Sequence, residues 1–170
     1  PVAVEPAQPS AATAPAPAPG AAPVAVSGAT VDQLCAGSGN FLARALDLGR
    51  VNVAALIVGL AQAAFDATAA YVKQREQFGR PVAAFQGVQF PIADMATGLE
   101  AARLLTLNAA RMFDAGLPIK LESSMAKHFA AEAALRICDS AIALHGGYGY
   151  LSDFSVERIY RDVKCYHMAE

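Results

Sequence analysis

From Phe41 to Arg80 the chain runs without a proline and is dense in alanine and leucine. A helix satisfies the backbone of such a stretch internally, and these residues favour it. Gly79-Arg80-Pro81 supplies the stop, so the sequence predicts a first helix over 41–78, roughly 55 Å long at 1.5 Å per residue. Asn52, Gln62 and Asp66 interrupt it, and its longest clean apolar run is the nine residues Val53–Ala61. A bilayer-crossing helix needs about twenty. The expectation is therefore a helix packed in a bundle, with no membrane span.

Three further helices follow by the same reasoning. The second is expected over 85–114 and ends at Gly116. Val88, Ile92, Met95, Leu99, Ala102, Thr106, Ala109 and Phe113 step by threes and fours, which puts one stripe on one face. Pro91 falls early, where a missing donor is tolerable. The third is expected over 121–144, stopped by Gly146-Gly147, and its many alanines predict the most buried helix of the set. The fourth is expected from 155 to the end of the chain. No segment alternates like a strand, so no sheet is expected beyond a stub before residue 36. The predicted fold is all-α, an antiparallel up-down four-helix bundle spanning residues 31–170.

Residues 1–30 read differently. They hold eleven Ala, seven of the ten Pro, no Lys or Arg, and only one acid, Glu5. Pro15-Ala16-Pro17-Ala18-Pro19 favours extended polyproline II over helix, so this stretch reads as a disordered Ala/Pro-rich linker. No basic region precedes an apolar stretch, as a signal peptide would require.

Charge narrows the function. Thirteen basic against fifteen acidic residues, net −2, exclude a strongly basic nucleic-acid binder. Cys35, Cys138 and Cys165 are odd in number and widely spaced, which argues against a disulfide framework and fits a reducing compartment. His128, His145 and His167 show no zinc-binding spacing, so no metal site is expected. Ser123-Ser124-Met125-Ala126-Lys127 lacks the companion motifs of an SxxK hydrolase, and the serines read as helix caps. Glu157, Arg158, Arg161, Asp162 and Lys164 form a charge ladder of the kind found on solvated helix faces. Gly146-Gly147-Tyr148-Gly149-Tyr150 follows no strand, so it is neither a P-loop nor a Rossmann turn. Two readings stay open for it: a helix cap with a tight turn, or a place where a flat or phosphorylated ligand approaches the backbone.

Read in order, several segments resemble the C-terminal helical domain of the acyl-CoA dehydrogenase family. They are Leu46–Arg50, Gly59–Ala64, Tyr71–Gln86 (YVKQREQFGRPVAAFQ), Ala93–Thr97, Glu100–Leu105, Met125-Ala126-Lys127, the His145–Tyr150 turn, and Val156–Lys164 (VERIYRDVK). The resemblance covers residues 31–170 in register and implies the same four-helix bundle.

It also implies roles. Arg75, Gln77 and Phe78 fall where the family contacts FAD, largely that of a neighbouring subunit, and Gln86, Gly146 and Gly147 fall at further contacts of the same cofactor. Arg50 matches an arginine at the base of the active site that orients the catalytic carboxylate or the substrate. Glu170, nine residues beyond Arg161, falls on the family's catalytic base. Some members carry the base just before the arginine matched by Arg50, but that position here is Gly49. The implied reaction is α,β-dehydrogenation of an acyl thioester in fatty acid metabolism, with an electron-acceptor flavoprotein and assembly as a homodimer or homotetramer. Alternatives are a flavin monooxygenase or oxidase on the same fold, and a non-catalytic helical oligomerisation module. A bacterial cytoplasmic setting is the expectation.

The family's N-terminal helical and middle β domains have no counterpart in these 170 residues, which read as a fragment. Purified by themselves, they are expected to bind FAD poorly and to turn over no acyl-CoA. Retention of a flavin absorbance spectrum through gel filtration would contradict this.

Overall fold

The computed structural model describes residues 38–169, with side chains from residue 41 onward. The expected linker 1–30, its boundary and Cys35 lie outside the described residues. Four helices follow in order: α1 (Ser38–Gln74), α2 (Gln86–Asp114), α3 (Lys120–His145) and α4 (Ser155–Met168). They form the antiparallel up-down four-helix bundle. α3 packs against the other three, and α1 also packs against α2 and α4.

Alanine explains that arrangement. On α3, Ala126, Ala130, Ala131, Ala133, Ala134 and Ala141 are all buried, together with Ile137 and Cys138. Eleven residues of α3 are buried against five of α2, so the alanine-rich helix is indeed more deeply enclosed. Small side chains let three neighbours approach it at once. α1 meets it with Val51, Ala54, Ile57, Ala61, Ala64, Thr68 and Val72, a stripe in steps of three and four. The predicted α2 stripe is also inward: Met95, Leu99, Ala102, Thr106 and Ala109 are buried, and Ile92 and Phe113 pack against the core. α4 contributes Val156, Ile159 and Val163. Burial pushes the Cys138 thiol up to about 12, so it stays protonated and inert.

Among the described residues, α1 is the one helix long and apolar enough to cross a bilayer by length and composition. Its buried stripe faces α3, and Gln62 links it to α2. Gln62 accepts from Arg103 of α2 and donates to Asp66 at 2.8 Å.

The structure corrects three expectations. α1 ends at Gln74 rather than 78. Beyond it, Glu76–Gln77 (β1) and Arg80–Pro81 (β2) pair antiparallel, with Gln77 opposite Arg80, so a two-stranded hairpin exists where no sheet was expected. The turn between them puts Phe78 at φ 53° and Gly79 at φ 77°. Positive φ at both central residues is the twist that closes a two-residue hairpin, and it is costly for Phe. The serines of α3 are not N-caps either. Ser124 donates back to the Lys120 carbonyl at 2.7 Å, and Ser123 to the same carbonyl at 3.3 Å and to Asp47 Oδ1 at 3.4 Å. The charge ladder matches its reading, with Arg161 pairing to Glu157 on the exposed face of α4 at 2.9 Å.

A short 3-10 helix, Gly146–Tyr150, turns the chain from α3 toward α4. Gly146 ends α3 at φ 62°, ψ −140°, a conformation open to glycine. Gly149 is required for a different reason. A Cβ there would lie 2.7 Å from the Ile142 carbonyl oxygen and 3.0 Å from His145 Cβ, whereas one on Gly147 would meet nothing within 4 Å. Gly149→Ala is therefore expected to destabilise the bundle by about 1–3 kcal/mol, and Gly147→Ala by less than about 0.5 kcal/mol, in urea unfolding.

Candidate functional site

Two clefts carry the residues singled out by sequence. The first lies where α1 gives way to the hairpin. Arg75 is held there by its backbone: its N–H donates to the Tyr71 carbonyl and its own carbonyl accepts from Val82, both at 2.8 Å. The side chain then reaches over the Tyr148 ring, 5.6 Å from guanidinium carbon to centroid. Arg75, Gln77, Gly146 and Gly147 line one opening of about 390 Å³ with Tyr71, His145 and Tyr148. Sequence separation of some seventy residues is closed because α1 and α3 run parallel, with their C-terminal ends side by side at Tyr71 and His145.

An aromatic cluster sets the floor. Tyr71 and His145 stack at 4.2 Å between centroids, and Phe154 meets both edge-on. The His145 Nδ1–H donates to the Ala141 carbonyl at 2.7 Å, which fixes its tautomer. The Gly146-Gly147 backbone thus sits on rigid supports, with open space beside Gly147. A planar guanidinium beside exposed glycine backbone suits an anionic ligand with flat parts, and a pyrophosphate-linked dinucleotide has both. The residues present therefore fit FAD.

Phe78 and Gln86 do not line this cleft. Phe78 stands 92% exposed at the hairpin tip, its ring edge-on to Phe85 at 6.2 Å. Gln86 is the exposed first residue of α2.

The second cleft, about 490 Å³, is lined by Arg50, Ser124, Lys127, His128, Ala131, Glu132 and His167. Arg50 donates to Asp47 Oδ1 at 3.0 Å, and Asp47 is itself buried. The α3 residues recur at i, i+3, i+4, i+7 and i+8, one face of the helix that is polar except at Ala131. Sequence reasoning missed His128, Glu132 and His167, although that spacing was there to be read. His167 donates from Nε2 to Glu132 at 2.8 Å, while its Nδ1 is buried without a partner in the structure. The Lys127 ammonium donates to the carbonyl of Ala169. Glu170, the expected base, lies outside the described residues. Among the described residues no three His, Cys, Asp or Glu side chains converge to hold a metal ion.

Arg50 lies in the first half of α1 and Arg75 just beyond its last residue, about 38 Å apart along the axis at 1.5 Å per residue. The two clefts are therefore distinct places on one chain.

The bundle superimposes on butyryl-CoA dehydrogenase from Megasphaera elsdenii with a TM-score of 0.75 at 38% identity, covering 76% of this chain and 34% of that one. The 3-(aryl)acrylate reductase of Clostridium sporogenes is 52% identical over 121 residues, 71% of this chain and 32% of that protein. The mitochondrial short/branched chain specific acyl-CoA dehydrogenase of Bos taurus is 51% identical over 119 residues, 70% of this chain and 28% of that protein. Residues 37–170 match the family described as acyl-CoA dehydrogenase, C-terminal domain, and the chain belongs to that family. It spans about a third of the length of the curated relatives it matches.

The Glu132 carboxyl is held below its ordinary value, first by the hydrogen bond from His167, with that ring, His128 and Arg136 adding attraction against the cost of burial. A carboxyl whose folded pKa is depressed contributes stability above its unfolded pKa, and loses it as pH falls through the lowered value. The gap in thermal midpoint between the parent and Glu132→Gln is thus expected to be open at neutral pH and to close below roughly pH 4.

Proposed function

We propose that this chain supplies the helical domain of an FAD-dependent acyl-CoA oxidoreductase. The observation that carries the reading is the convergence of Arg75, Gln77, Gly146 and Gly147 on one cleft. Arg75 would hold the pyrophosphate of FAD, and the Gly146-Gly147 backbone would admit the adenine side. Phe78 and Gln86, facing outward nearby, would contact the same cofactor. The distance from Arg50 supports the assignment of that FAD to a neighbouring subunit, in a homodimer or homotetramer. When bound, the flavin accepts or returns the hydride at the β-carbon of the thioester.

Glu170 is the proposed base. Its task is to take the α-proton of the acyl thioester, which calls for a carboxylate in a water-poor site whose pKa is raised by desolvation. Arg50, braced by Asp47, would orient that carboxylate or the thioester end. Microscopic reversibility lets the same carboxyl return the proton when an enoyl thioester is reduced, the direction named for the Clostridium relative. An electron-transferring flavoprotein is the proposed redox partner. In the cell, a bacterial cytoplasmic enzyme of acyl-CoA metabolism is the reading that fits.

In the intact flavin-loaded protein, Glu170→Gln is expected to lower kcat by roughly 10²–10⁴-fold without loss of flavin. Arg75→Ala is expected to weaken FAD binding by about 10–100-fold, read from flavin retention on dilution. Full turnover by Glu170→Gln with acyl-CoA and an artificial electron acceptor would refute the base assignment. Flavin retention equal to parent in Arg75→Ala would refute the cofactor cleft.

A further inference from the structure

We infer that Lys127 is a positioning residue for the reaction, because its ammonium fixes the peptide that immediately precedes Glu170. The inference rests on the assignment of Glu170 proposed above. It begins with how α4 is anchored. The fully buried residues of that helix are Val156, Ile159 and Val163, and its last turn adds the partly buried Tyr166. Beyond Met168 the chain leaves the helix: Ala169 is extended, at φ −71° and ψ 120°. The carbonyls at a helix end have no partner within the helix and must find one elsewhere.

α3 provides it. Lys127 is buried, and a buried ammonium is costly unless polar atoms receive its protons. Its Nζ donates to the Ala169 carbonyl, while the Ala169 N–H donates to Cys165 at 3.1 Å. Both polar groups of the residue before Glu170 are thereby held. Two residues back, His167 is tied to Glu132, on the same face of α3 as Lys127. The final turn of α4 is thus gripped through polar groups as well as by the packing of Tyr166. The grip opens onto the cleft lined by Arg50. A charge-assisted bond to a main-chain carbonyl constrains direction as well as distance, which a base that must meet one particular proton requires.

A purely structural Lys127 would cap α4 and oppose its macrodipole, affecting the thermal midpoint only. The test compares Lys127→Met, Lys127→Arg and Glu170→Gln in the intact flavin-loaded protein, at equal flavin content. The readouts are thermal midpoint, kcat, KM and the pH profile of kcat. Misplacing a catalytic group by an ångström costs on the order of 100-fold. Lys127→Met is therefore expected to lose about that factor in kcat with KM within about twofold, and to displace the acidic limb of the profile. Lys127→Arg, which keeps the charge and the donors, is expected to recover most of the loss. If Lys127→Met keeps the parent kcat and pH profile while Glu170→Gln is inactive, the positioning role is overturned and the base stands. If Glu170→Gln is fully active, the base falls and this inference with it. Should Lys127→Met not accumulate in folded form, Lys127→Gln replaces it under the same criteria.

Discussion

Everything in the bundle depends on how closely α3 can be approached. Ala126, Ala130, Ala133, Ala134 and Ala141 leave so little side chain on it that three helices share its surface. Interiors are packed as tightly as organic crystals, and larger groups at those positions would push neighbours apart rather than compress. The same closeness sets the site. Arg75 and Gly146-Gly147 meet because the end of α1 lies against the end of α3, and Arg50 faces Lys127 because the other ends meet too.

Much of this was legible in the sequence because helix periodicity is a strong signal. The stripe from Val88 to Phe113 could be read directly and is the inward face of α2. The Gly146-Gly147 stop was equally plain. The hairpin after α1 was hidden for a physical reason. Two-residue hairpins are signalled by Asn-Gly or Asp-Gly, and here a phenylalanine takes the first left-handed position. Local preference argued against that turn, and the return of Val82 to the Arg75 carbonyl overrode it.

The candidate site was legible unevenly. Arg50, Arg75, Gln77 and the glycines came from resemblance and line the two clefts, Phe78 and Gln86 stand outside them, and Glu170 lies outside the described residues. The pairing of Glu132 with His167 was not read from the sequence, since one lies on α3 and the other on α4, thirty-five residues apart. Only the neighbouring helix turns them into a pair. Ser123 is the reverse case: it looked like a cap, and tertiary structure made it a link to Asp47.

The hairpin corner has one more implication. A ring at that corner stands on a backbone already locked by its turn and by the pairing of Gln77 with Arg80. Any surface that came to cover it would have only the ring's own side-chain rotation to arrest, the backbone there being ordered already. The left-handed geometry at Phe78 thus moves that part of the ordering cost from association to folding.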